Sequence, residues 1–61
     1  MNDVTSWMVG LIALAKTRKD AAVVYQYGLR NNAVDWKAVN DAILDRWSKS
    51  GLAYIKKEAW G

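Results

Sequence analysis

Cysteine, histidine, proline and phenylalanine are all absent from this chain of 61 residues, and glycine occurs only four times. Each absence removes a class of explanation. Without cysteine there is no disulfide, and without cysteine or histidine the usual zinc ligands are missing. The six carboxylates do not fall into the D-x-D-x-D-G spacing of a calcium loop. The commonest general base and the best nucleophile of enzyme chemistry are missing too, which argues against catalysis and against a small-molecule substrate. Ser48-Lys49-Ser50-Gly51 has the form of a turn, not of a glycine-rich phosphate loop. The expectation is a protein with no cofactor, no metal and no catalytic residue.

Long apolar runs are lacking as well. The longest, Trp7 to Ala15, has nine residues, whereas a membrane-spanning helix needs about 20. Asp3 precedes this run where a secretory leader carries positive charge, and no small-x-small cleavage site ends it. The expected location is the cytoplasm.

What the chain does contain is aromatic surface and a modest excess of base. Nine basic residues against six acidic ones leave a net charge of +3, with a pI near 9.5. This is a weak preference for an anionic partner. Four tryptophans (Trp7, Trp36, Trp47, Trp60) and three tyrosines are many for so short a chain. Each buries roughly 150–250 Å² when packed, so core positions are expected for most of the indoles, with interface positions for the others. A chain of this size buries only about 60% of its unfolded surface. With disulfides and metals excluded, the stabilising device is oligomerisation or unusually good packing.

The absence of proline and the abundance of alanine and leucine predict an all-α fold. The pattern gives one small domain, residues 1–61, built as a compact bundle of three to four short helices at about 4–17, 20–28, 35–47 and 51–60. In the first, Val4, Trp7, Met8, Leu11, Ile12, Leu14 and Ala15 cover one broad face, with Asp3 or Thr5 as N-cap. A helix this apolar asks for burial on more than one side, more than so little remaining chain provides. The second, capped by Asp20, turns Ala21, Val24, Tyr25 and Gly28 inward and ends near Gly28 and Asn31-Asn32, residues that tolerate positive φ. The third is the best marked. Asp35 is its N-cap, Val34 and Val39 are spaced as a hydrophobic staple, and Trp36, Val39, Ile43 and Trp47 form a helical stripe with Asp41 and Asp45 opposite. After a short break at Ser48–Gly51, with Ser48 or Ser50 as cap, Leu52, Ile55 and Ala59 line the last helix.

Asn40 is the polar residue within the third helix's apolar stripe. It is either a buried amide bonded to a backbone carbonyl or a register device at a helix or subunit interface. Together with Trp7, Met8, Leu11 and Trp60 it makes up the candidate interface. Basic residues fall in two groups, Lys16, Arg18, Lys19 and Lys49, Lys56, Lys57, which become one set of phosphate contacts if the ends of the first and last helices meet.

Three functions follow from these features. The first is a non-enzymatic protein-interaction module that self-associates, as a homo-oligomer, and docks on or regulates a larger protein. The alternative is a nucleic-acid-binding, helix-turn-helix-like regulator. It would have to use the two basic groups outside the third helix, because Asp41 and Asp45 would face the phosphates. The third is a membrane-active peptide. In length, in lacking cysteine and in its tryptophan-bearing helices the chain resembles leaderless bacteriocins, but six acids against nine bases depart from their strongly cationic character.

Overall fold

Side-chain oxygens placed just ahead of apolar-periodic segments decide where each helix starts. In the computed structural model, which describes residues 2–61, the elements are α1 (Asp3–Leu14), α2 (Arg18–Gly28) and α3 (Trp36–Trp60). Met1, the first residue of the expected domain, lies outside the described residues. Asn2 caps α1 by accepting from the Thr5 amide at 2.8 Å, Thr17 caps α2 by accepting from the Asp20 amide at 3.1 Å, and Asp35 caps α3 by accepting from the Ala38 amide at 3.3 Å. Each cap satisfies one of the amides that a first turn leaves without an intrahelical partner. Only Asp35 was the cap expected from the sequence. Asn2 and Thr17 displace Asp3, Thr5 and Asp20 because each stands one helical turn before an amide it can reach.

Helix α1 therefore stops at Leu14 and not near residue 17. Ala15 is extended, with φ −61° and ψ 133°, and Thr17 already belongs to the start of α2. The valine- and tyrosine-rich run in α2, whose local preference is for strand, is helical, and no strand occurs among the described residues. Its C-terminus closes through the Leu29 amide on the Tyr25 carbonyl and the Arg30 amide on the Tyr27 carbonyl.

The expected break before the last helix is real but narrow. It is a kink at one residue, Ser48, with φ 64° and ψ −173°, and helix resumes at once. That backbone region is essentially reserved for glycine. The Ser48 and Ser50 hydroxyls lie 3.3 Å apart over the bend. Beyond it, Gly51 is buried against Trp47, and the returning segment brings Ile55 and Ala59 into the core.

The core lies between the three helices and is aliphatic. Met8 and Ile12 come from α1, Ala21, Ala22 and Tyr25 from α2, and Val39, Ile43, Ile55 and Ala59 from α3, with Val34 beneath the α3 N-terminus. Val34 and Val39 are both in this cluster, as a staple requires. None of the four tryptophans is fully buried. Trp36 and Trp47 are half-buried, while Trp7 and Trp60 are 50% and 72% exposed. Glycines make room for two of them at the edge of the core: a Cβ added at Gly28 would strike the Met8 side chain and crowd the Trp36 indole at 3.1 Å, and one at Gly51 would strike Trp47.

Among the described residues, one polar side chain is fully buried. Thr5 has no exposed surface, and its hydroxyl accepts from the Asp35 amide at 2.9 Å. The Asn2 side-chain amide donates to the Ala33 carbonyl nearby. The first turn of α1 is thus tied to the start of α3. No helix among the described residues is long and apolar enough to cross a membrane.

Candidate functional site

Helix α1 carries two apolar stripes where one would suffice. Thr5, Met8 and Ile12, spaced i, i+3 and i+7, point into the core and are fully buried. Val4, Trp7, Leu11 and Leu14, spaced i, i+3, i+7 and i+10, form a second stripe about a third of a turn away. This is the a/d spacing of a helix that packs against another helix. Val4 and Leu11 are half-buried, Trp7 is half exposed and Leu14 is 80% exposed.

The neighbouring helix extends this surface. Helices α1 and α2 are joined by a short turn and run back along one another, which sets Tyr27 beside Trp7. The two rings meet edge to face, with centroids 6.3 Å apart and planes at 76°. Tyr27 is 61% exposed, and Val23, one turn before it, is 50% exposed. A shallow hollow of about 370 Å³ opens between Val4, Trp7, Tyr27 and Gly28, with Asp3 and Asn31 at its rim. Trp7 and Tyr27 therefore stand together in solvent, with Val23 one turn before Tyr27 and Leu14 two turns beyond Trp7, an exposed apolar surface of the kind that marks interaction sites on small proteins.

A wider groove of about 640 Å³ separates α1 from α3, floored by Val9, Ala13, Ala38 and Ala42. Of its charged groups, Asp41 and Arg46 are engaged within the chain, and Asp45 is exposed. Lys37 pairs with Asp41 at 3.2 Å on the surface. Arg46 donates through one Nη1 to the carbonyls of Ile12, at 2.6 Å, and Ala15, at 2.5 Å, while its guanidinium lies 4.2 Å from the Trp47 ring centre. Arg46 thereby closes the C-terminus of α1, whose last turn holds no basic residue of its own. Arg46→Met keeps the stem and removes the donors. It is expected to lower unfolding free energy by about 1–2 kcal/mol, read as a shift of the urea midpoint at constant slope, with Arg46→Lys recovering part of the loss.

The five residues expected at an interface do not come together. Trp7 and Leu11 share the outer stripe of α1. Met8 is a correction: with no exposed surface it belongs to the core, because it sits one residue round the helix, on the face that α2 and α3 cover. Trp60 is exposed at the far end of α3. Asn40 is half-buried within the molecule, where its Oδ1 accepts from the Tyr25 hydroxyl at 3.4 Å. Its partner is a phenol of α2, neither a backbone carbonyl nor a group on the outer stripe.

Burial raises the Tyr25 pKa above its ordinary value. The folded state therefore holds the phenolic proton more tightly than the unfolded chain does. Stability from this group is complete below about pH 10, the unfolded value, and is lost as pH rises above it, when the unfolded chain releases a proton that the fold retains. Tyr25→Phe should flatten this alkaline decline, as measured by thermal unfolding across that range.

The basic residues are only partly brought together. The Arg18 guanidinium stands 5.2 Å from the ring centre of Tyr54, so the start of α2 packs on the segment after the kink. Lys16, Lys19, Lys49, Lys56 and Lys57 are exposed on the elements flanking this contact. Two structural positions escape a reading of the sequence. Arg46 has one visible signal, a cation next to Trp47; Thr5 has none beyond its capping chemistry.

Comparison with known protein families, with curated proteins and with solved structures finds no match for this chain. The fold and the surface define a class, a small all-α bundle with an unpartnered apolar face, and function has to be argued from that face.

Proposed function

We propose that this chain is a non-enzymatic protein-interaction module of the cytoplasm that associates with itself through the α1–α2 face and in that form docks on or regulates a larger protein. The observation that carries this reading is the outer stripe of α1, where Trp7, set against Tyr27, and Leu14 stand exposed at helix-pairing spacing. Covering a large apolar side chain is worth about 1.5–3 kcal/mol, and joining two bodies costs about 4–15 kcal/mol. A patch of four such side chains per copy supports a reversible, moderate association. Sedimentation equilibrium tests it: mass should rise with concentration from the 6.9 kDa of one chain towards twice that value. A mass that stays at one chain up to millimolar concentration overturns the reading.

A second reading is favoured by a different detail of the surface. Trp60 is exposed one turn from Lys56 and Lys57, and indole beside lysine is the composition that settles at a lipid headgroup interface. Dye release from anionic vesicles would support a membrane-active peptide, and its absence would count against one. The nucleic-acid alternative rests on Arg18 bridging the two basic groups. Retention on duplex DNA or RNA at low salt, lost as salt is raised, is what it requires.

A further inference from the structure

Resting on the self-association reading, we infer that the partner of the α1 stripe is the α1 stripe of a second copy, laid antiparallel about a two-fold axis between Trp7 and Leu11. The spacing comes first. Val4, Trp7, Leu11 and Leu14 are symmetric about residue 9, so an antiparallel copy sets Val4 against Leu14 and Trp7 against Leu11 at every level. The half-buried members of the stripe thus meet the exposed ones. Self-complementarity of this kind is what a two-fold interface demands.

Charge selects the direction. Asp3 stands at the N-terminal end of α1. Beyond its C-terminal end lie Lys16, Arg18 and Lys19, which outnumber Asp20 there. Antiparallel copies bring Asp3 of one chain to Lys16 of the other, twice per dimer, and oppose the two helix dipoles. Parallel copies would set like charges side by side. Within one chain the pair cannot form, since the two residues are separated by the length of α1, about 1.5 Å for every residue between them.

Cross-linking tests the geometry directly, because the natural chain has no cysteine. Val4→Cys and Leu14→Cys chains are prepared separately, checked for helicity and oxidised alone and mixed. A disulfide needs Cα atoms within about 7 Å, so the antiparallel pair predicts no covalent dimer from either chain alone and a mixed dimer from the two together. Charge reversal gives a second measurement: Asp3→Lys or Lys16→Asp should each weaken self-association about tenfold, and the double variant should restore it. Within one chain the two residues stand at opposite ends of α1, so recovery in the double variant reports pairing between chains. Covalent dimers from either single-cysteine chain alone, a mixture that fails to cross-link, or a double variant no stronger than the singles would each overturn the antiparallel seam while leaving self-association standing. A natural chain that remains monomeric overturns both.

Discussion

Adding one methyl group at Gly51 is expected to lower the stability of the fold by about 2–3 kcal/mol, as overpacking at an unyielding site does. A Cβ built on Gly51 lies 2.2 Å from Trp47 Cβ and 3.3 Å from Trp47 Cγ. The first of these atoms is fixed to the backbone, so no rotation of the indole relieves the clash. Relief would require opening the bend at Ser48 and moving Ile55 and Ala59 out of the core. A chain of this length has a total stability of roughly 3–9 kcal/mol, so a large share would be lost. Ser48→Gly should act in the opposite sense, raising stability by about 1 kcal/mol, because φ 64° and ψ −173° suit glycine and strain serine. Urea unfolding of both variants checks the pair. An unchanged midpoint for Gly51→Ala would show that the kink is looser than its geometry indicates.

Removing the Trp7 indole is expected to weaken self-association by at least about 30-fold, the effect of losing a central interface aromatic worth 2 kcal/mol or more. The fold itself should lose less, about 0.5–1.5 kcal/mol from the edge-to-face contact with Tyr27. The reason for the difference is placement. Trp7 meets Tyr27 edge to face, and half of its surface is free. Sedimentation of Trp7→Ala beside the natural chain measures the first effect and urea unfolding the second. Equal association of the two proteins would remove Trp7 from the interface. A cooperative unfolding transition retained in the variant separates lost association from lost folding.

These expectations draw unequally on sequence and structure, and α1 shows how. Its apolar excess is visible in the residues from Val4 to Ala15, and so is the surplus that one chain cannot cover. Which side stays uncovered is not visible. Met8 and Leu11 are both apolar residues on one broad face, and only the directions from which α2 and α3 approach bury the first and leave the second at the edge. The tryptophans make the same point about size. Their number points to an indole-filled core, but isoleucine, valine, methionine and alanine fill the centre, and Trp36 and Trp47 pack at its edge over Gly28 and Gly51. Asn40 was conspicuous as a polar residue in an apolar stripe. Its partner, the Tyr25 hydroxyl, is 15 residues away on another helix, a pairing that no local pattern encodes.

By itself the sequence determined the all-α class, the Asp35 cap with its staple of Val34 and Val39, the stripe of the third helix and the position of the bend near Ser48. All of these follow from interactions within a turn or two of chain, where residue type and spacing are sufficient. Tertiary structure alone decided that Thr5 holds the α3 N-terminus and that Arg46 closes α1. It also decided that Arg18 reaches Tyr54, and that Val4, Trp7, Leu11 and Leu14 are the face left to a partner. Those outcomes depend on how three helices pack, which is set by the summed shape of contacts far apart in sequence.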